Sequence, residues 1–270
     1  PYRRPKDQTV EDFCDELVKE FEQKIEELGA ENVAAFIAEP VLASGGCIVP
    51  PDGYFKKIYD LCKKNQIIFI ADEVVTGFGR LGHFFSSEEI FGVVPDIITC
   101  AKGITSGYLP LGAVLFSDQL IADLKNDSSL FFHGYTYSGH PACCAAALKN
   151  IEILKRDKIL EHVKEIEPYF FEKLNSLYDL PIVGDIRGKG LMAGIECVIN
   201  KDSKEALVLD KAIGSRIDEE SIKLGLIIRP LYHICVLSPA LIINKEQINE
   251  LTEKLYQAIS NTIDQLKIEG

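Results

Sequence analysis

Phe69-Ile70-Ala71-Asp72-Glu73-Val74-Val75-Thr76-Gly77-Phe78-Gly79-Arg80 is an apolar run that stops at a carboxylate and turns into a glycine-containing segment. Two further stretches share the design: Phe36-Ile37-Ala38-Glu39 and Ile97-Ile98-Thr99-Cys100-Ala101-Lys102. Continuous apolar runs of this length, bounded by Pro, Gly and charge, read as buried strands of a parallel sheet rather than half-exposed ones. Ligands of open parallel sheets bind beyond the carboxyl ends of the strands. The pattern therefore delivers two carboxylates, Glu39 and Asp72, and one ammonium, Lys102, to one rim of one sheet.

Working outward, Thr9 is placed to cap a helix carrying Phe13, Leu17, Phe21, Ile25 and Leu28, which Gly29 closes. Strands are predicted over 33–38, 66–71, 96–100 and 111–116. A helix bearing Tyr54, Ile58, Leu61 and Cys62 follows Pro50-Pro51, and a long helix over 142–154 follows Pro141. Beyond it the pattern predicts strands over 182–186, 191–198, 226–228 and 234–237, with helices over 206–224 and from 245 to about 266. The expected fold class is α/β: a mostly parallel sheet with helices on both faces over 1–155, and a smaller α+β domain over 156–270.

At 270 residues the chain can bury a large core. Its 29 Lys plus Arg against 41 Asp plus Glu give a net charge of −12, which argues against nucleic acid or an anionic membrane as a partner. No run approaches the roughly 18 apolar residues that span a bilayer. The eight cysteines are scattered without a C-x-x-C pair, so no zinc ribbon is expected, and buried free thiols in a cytoplasmic protein are.

A carboxylate and a lysine on one sheet rim match what pyridoxal phosphate requires of a protein. The cofactor needs an amine for its aldehyde, a carboxylate to keep the pyridine nitrogen protonated, donors for the phosphate and cover for the ring face. Asp72 ends a buried strand and can be held rigidly for the second task. Lys102 ends the neighbouring run, where desolvation would free its amine, and Gly103 leaves room for a bulky group. Each residue alone has a plainer reading: a strand-end Asp as a cap or ion-pair partner, a strand-end Lys as a solvated charge.

Taken together, several segments resemble the class III pyridoxal phosphate aminotransferases of fold type I. They are Ala35-Phe36-Ile37-Ala38-Glu39-Pro40, Asp72 through Arg80, Pro95-Asp96-Ile97-Ile98-Thr99-Cys100-Ala101-Lys102-Gly103, Pro110-Leu111-Gly112-Ala113 and His133-Gly134-Tyr135-Thr136-Tyr137-Ser138-Gly139-His140-Pro141. The resemblance implies that Lys102 is the Schiff-base lysine and Asp72 the pyridinium partner. It places Val74 against the ring face and Glu39 near the ring substituents or in structural support. It makes Thr136 the threonine that reaches the cofactor phosphate from a neighbouring subunit, and so implies a homodimer with shared active sites. Tyr135 and Tyr137 then read as interface aromatics.

The resemblance also narrows the substrate. Ornithine, acetylornithine and γ-aminobutyrate members carry a Glu five residues after the Glu-Pro glutamate, where this chain has Ser44. The arginine paired with that Glu would fall near Val236. Arg229 instead matches the mobile carboxylate-binding arginine of the ω-amine:pyruvate subgroup, a role that suits a guanidinium fork. The expected function is transfer of an amino group from a terminal amine, diamine or β-amino acid to pyruvate. An aminomutase or a decarboxylase uses the same lysine and aspartate.

Family members extend further at the N-terminus, where the phosphate-cradling Gly-Ser/Thr turn, the stacked aromatic and the first sheet strands reside. The chain therefore reads as a C-terminal portion. The alternative expectation is a catalytically inactive dimerisation or interaction domain with exposed apolar edges.

Overall fold

The computed structural model describes residues 1–126, 131–206 and 213–269. The chain divides into two compact units, one built mainly from 3–40 and 50–160, the other from 41–49 and 161–270.

The first unit begins with α1 (Val10–Leu28). Thr9 adopts an extended conformation and its side chain accepts the Asp12 N–H, while Gly29 ends the helix at φ 76°. Then follow β1 (Ala35–Ala38), α2 (Tyr54–Lys64), β2 (Ile68–Asp72), the single turn α3 (Ser86–Glu89) and β3 (Ile97–Cys100). The unit closes with β4 (Ala113–Phe116), α4 (Asp118–Asn126) and α5 (Pro141–Arg156). The sheet order is β1-β2-β3-β4. The first three strands are parallel, as the apolar runs require, and β4 returns antiparallel to β3.

One face of this sheet carries Phe36, Phe69 and Cys100. Phe69 is fully buried at the centre of an aromatic cluster, with ring centroids 5.6 Å from Phe36, 5.2 Å from Phe55 and 5.5 Å from Tyr59. Offset and edge-on pairs of this kind add to the area they bury. The amphipathic stripes of α1 and α2 supply Ile25, Phe55, Ile58 and Cys62 to the same cluster. Asp96 locks β3 against β2 through a 2.8 Å bond from the Phe69 N–H and an ion pair with Lys63. The opposite face carries Ile37, Ile70, Asp72, Thr99 and Val114, because paired residues of adjacent strands share a face. Ile37 and Val114 there are 56% and 54% exposed.

The second unit contains α6 (Ile159–Leu174) from Glu161 onward, β5 (Val183–Lys189), β6 (Met192–Asn200), β7 (Glu205–Ala206), α7 (Ile213–Lys223), β8 (Arg229–Leu231), β9 (Ile234–Leu237) and α8 (Lys245–Glu269). The strands form an antiparallel sheet in the order β5-β6-β9-β8, with β7 paired to β6. Its core joins Val163, Phe170, Leu174, Ile195, Ile217 and Leu255.

Two expectations shift here. The helix foreseen over 206–224 is described only from Ile213, since Ala206 lies in β7 and 207–212 fall outside the described residues. The strand foreseen over 226–228 begins at Arg229 instead. The Leu226 amide turns back to the Ser221 carbonyl and the Ile228 amide to Asp218, so neither is free for a ladder. Pro230, which has no N–H to give, is tolerated because β8 is an edge strand.

All eight cysteines are free thiols and seven are buried. Burial pushes the Cys62 thiol up to about 11, with the Asp96 charge adding to it, and burial also raises Cys100. The folded chain thus keeps protons that the unfolded chain has released. Stability is full below about pH 9 and falls as pH rises toward about 11. Urea midpoints should decline across that window, and Cys62→Ala should flatten the decline.

Among the described residues no helix is long and apolar enough to cross a membrane, and no cluster of three or more His, Cys, Asp or Glu is arranged to hold a metal.

Candidate active site

Asp72 is the last residue of β2 and lies half-buried opposite Thr99 in β3. The Val74 N–H donates to its Oδ1 at 3.1 Å, an Asx-type turn that aims the carboxylate off the strand end. Glu39 directly follows Ala38, whose partner in β2 is Ala71, so Glu39 stands level with Asp72 on the same rim. Lys102 comes three residues after Thr99 and opens a 3₁₀ turn, Lys102–Thr105. The register thus brings Glu39, Asp72, Val74 and Lys102 to one end of one sheet.

Lys102 departs from expectation in one respect: it is exposed rather than desolvated. Its backbone has φ 42°, a region that non-glycine residues rarely adopt and that persists where surrounding structure over-determines it. Asn150, on α5, provides much of that determination. Its Nδ2 donates to the Gly103 and Ile104 carbonyls at 2.9 and 3.1 Å, and its Oδ1 accepts from Ser106 Oγ at 2.7 Å. Thr105 Oγ1 bonds the Leu109 carbonyl at 2.6 Å.

Gly103 has a different role from the one expected. A Cβ there would stand 3.0 Å from Phe78 Cβ and 3.3 Å from the Gly77 carbonyl oxygen. The missing side chain lets the lysine turn pack against the segment after Asp72, so close approach of two backbones explains this glycine without a ligand.

Glu73 is the residue whose importance sequence reading missed. It is fully buried, and its carboxylate accepts four hydrogen bonds: Thr76 Oγ1 at 2.5 Å, Ser86 N at 2.7 Å, Ser86 Oγ at 2.7 Å and Ser87 N at 2.6 Å. It closes the loop from 73 to 87 onto the first turn of α3 and satisfies amides that a helix start leaves open. The available signal was a carboxylate flanked by Asp72 and two valines, with Ser86-Ser87 thirteen residues on.

One polar atom on the rim's sheet face, Thr99 Oγ1, is buried without a hydrogen-bond partner among the described residues. Buried polar groups are ordinarily paired. Its lack of a partner beside a strand-end carboxylate and a lysine fits a seat for a polar ring such as that of pyridoxal phosphate.

Thr136 lies in a separate, exposed turn of the same unit, closed by Ser138 N to the Tyr135 carbonyl and Tyr135 N to Ser138 Oγ, both at 2.9 Å. The flanking Phe132 and Tyr135 are 93% and 77% exposed. Arg229, in the second unit, is exposed at the start of β8, and its partner across the ladder is Val236. Ser44 is exposed in a hairpin of that unit closed by mutual Leu42–Ile48 backbone bonds of 3.0 Å.

The chain matches the family described as "Aminotransferase class-III" over residues 1–259. It is 44% identical over 257 residues to the putrescine–pyruvate aminotransferase of Pseudomonas aeruginosa, covering 95% of this chain and 56% of that protein. It is 41% identical over 266 residues to γ-aminobutyrate transaminase 3 of Solanum lycopersicum, covering 96% of this chain and 51% of that one. Among solved structures, a thermostable (S)-enantioselective ω-transaminase from Thermomicrobium roseum aligns with a TM-score of 0.93 at 42% identity, over 97% of this chain and 58% of its own. The chain spans about half the length of the curated relatives it matches. Its structural neighbours are fold type I pyridoxal phosphate transaminases. With sequence and fold in agreement, this chain belongs to the class III aminotransferases, a pyridoxal phosphate-dependent family.

Proposed function

We propose that the chain carries the lysine-bearing half of an ω-amine:pyruvate aminotransferase site. The observation that carries this reading is the register of β2 and β3, which sets Asp72 and the Lys102 turn side by side at the C-terminal ends of parallel strands. When bound, pyridoxal phosphate supplies an electron sink for the carbon that loses its proton. The residues do the rest. Asp72 holds the charge on the ring nitrogen, Val74 covers one ring face and Glu39 supports the rim. Lys102 Nζ would hold the group covalently and, once the substrate amine displaces it and frees its own amine, would take the substrate proton and return it.

Thr136 is assigned to the phosphate of a second copy's site. Exposed aromatics around it, Phe132 and Tyr135 among them, support a homodimer through this turn. Sedimentation at micromolar concentration should show the dimer.

Putrescine and γ-aminobutyrate, which two relatives' names specify, are both four-carbon terminal amines differing at the far end. We assign the donor to that class, and pyruvate as acceptor. The Arg229–Val236 pairing supports a carboxylate site here, because the other subgroup's arginine would fall near Val236, across the ladder from Arg229. A guanidinium at either place reaches the same ground. Arg229→Leu is expected to raise KM for pyruvate and γ-aminobutyrate roughly tenfold, the lower end for a charged hydrogen-bond pair because the site is exposed. KM for putrescine should change little.

The test is to incubate the chain with pyridoxal phosphate, putrescine and pyruvate and to measure alanine. Alanine formation supports the reading. Bound cofactor with no alanine from any terminal amine would overturn it. A second reading, an inactive interaction domain, is favoured by the exposed Ile37 and Val114 on the Asp72 face. A chain that self-associates yet binds no cofactor would support that one.

A further inference from the structure

Arg187 on β5 makes three side-chain hydrogen bonds within the second unit. Its Nη1 donates to Asp185 Oδ2 at 2.8 Å and to Glu196 Oε2 at 2.5 Å, and its Nε donates to the Gly46 carbonyl at 2.9 Å. Glu196 is itself buried on β6, with His233 Nε2 3.6 Å from its other oxygen. A guanidinium buried to this degree is tolerated only when its donors are satisfied. Here two acceptors are carboxylates of the sheet and the third is a carbonyl of the hairpin that carries Ser44.

The hairpin is shaped to meet it. Its own bonds, Leu42 with Ile48 and the Gly46 and Cys47 amides to the Ala43 carbonyl, fix its internal form. Where it lies on the sheet is set by contacts to β5, β6 and β9. A Cβ on Gly194 would stand 2.6 Å from the Gly46 carbonyl oxygen, and one on Gly46 would stand 2.6 Å from Ile234 Cδ1. Two glycines meeting backbone to backbone, with Arg187 holding the same carbonyl, leave little freedom. Cys47, next in line, is fully buried at φ 56°.

We propose that Arg187 is the positioning residue that fixes the Val41–Val49 hairpin, and with it Ser44, so that donor selection depends on a guanidinium–carbonyl bond. This rests on the functional reading above, because position 44 is where ornithine, acetylornithine and γ-aminobutyrate members carry the Glu that this chain replaces with Ser44. Arg187 touches no substrate; it acts by holding the Gly46 carbonyl, which lies two residues from Ser44.

The experiment uses the full chain and the rate at which a thiol reagent modifies each cysteine, read peptide by peptide. Arg187→Lys keeps a cation for Asp185 and Glu196 but lacks the fork that also reaches the hairpin. Gly194→Ala displaces Gly46 without touching charge. Both are expected to speed modification of Cys47 at least about tenfold, the loss of one well-made charged hydrogen bond, while Cys197 and Cys235 of the same unit stay protected. Cys47 modified as slowly as in the parent, or Cys197 and Cys235 modified along with it, would overturn the proposal. The second outcome would mean that Arg187 only holds the unit's core together.

A second arm compares kcat/KM for putrescine and for γ-aminobutyrate. A changed donor ratio with unchanged cofactor retention supports the link to selection; an unchanged ratio overturns it. If the parent chain transfers no amine, the functional reading fails and the link to donor selection falls with it, while the thiol rates still decide whether Arg187 holds the hairpin.

Discussion

Glu73→Leu is expected to lower the stability of the chain by about 3–5 kcal/mol, the range for removing one side of a buried charged network. Four donors lose their acceptor at once: the Ser86 and Ser87 amides and the Thr76 and Ser86 hydroxyls. Each buried donor left unpaired costs roughly 1–3 kcal/mol, so some of the four must find water or the loop must open. Glu73→Gln is the informative contrast. Its carbonyl can still accept the two amides, and both hydroxyls can rotate to accept from its NH₂, so a loss of only about 1–2 kcal/mol is expected. Urea midpoints of the two variants measure the difference. Equal, small shifts would mean that the carboxylate does not hold the loop.

The same change should reach the rim. Val74 and the Gly77–Phe78 backbone belong to the loop that Glu73 closes, and Gly103 packs against that backbone. Glu73→Leu is therefore expected to weaken cofactor capture at Lys102 as well as stability, although Glu73 faces away into the protein.

What the sequence displayed and what it hid divide along physical lines. The parallel strands were legible as uninterrupted apolar letters bounded by Pro, Gly and charge, although only the Phe69 face is buried in this chain and the Ile37 face is exposed. Asp72 and Lys102 were legible because each run ends at a change of polarity. Strand β9 was read residue for residue since it is buried throughout. Edge strand β8 was misplaced by three residues, because Leu226-Ile227-Ile228 looks like a strand while its amides serve a turn and an aspartate. The glycine at 103 was legible as a need for space, but space for a neighbouring backbone and space for a ligand look alike in one dimension. Glu73, Asn150 and Arg187 stayed hidden for a common reason. Their partners lie 13, 47 and 141 residues away in sequence, and a polar residue whose partner is distant leaves no periodic trace.

Lys102→Ala is expected to abolish covalent capture of pyridoxal phosphate. Treating the chain with the cofactor and then borohydride should add the cofactor's mass to the Lys102 peptide in the parent and not in the variant. Exposed lysines elsewhere react with any aldehyde, so selectivity is the meaningful quantity, and the rim explains why it should exist. Asp72, one strand away, offers a carboxylate aimed off the strand end by the Val74 amide, and Thr99 Oγ1 lies unpartnered on the same face. Asp72→Asn keeps size and the Val74 bond but removes the charge. It should leave Lys102 labelled while reducing the preference over other lysines and cutting amine transfer severely, because the ring nitrogen would lose the group that keeps it protonated. Loss of the proton-moving amine in Lys102→Ala should lower transfer by at least roughly 10²–10⁴-fold, the usual contribution of a positioned acid–base group. If Lys102 is labelled no faster than Lys24 or Lys149, which sit exposed in helical ion pairs, then the rim supplies no selectivity to this chain on its own, and capture at Lys102 requires groups beyond the ones on these strand ends.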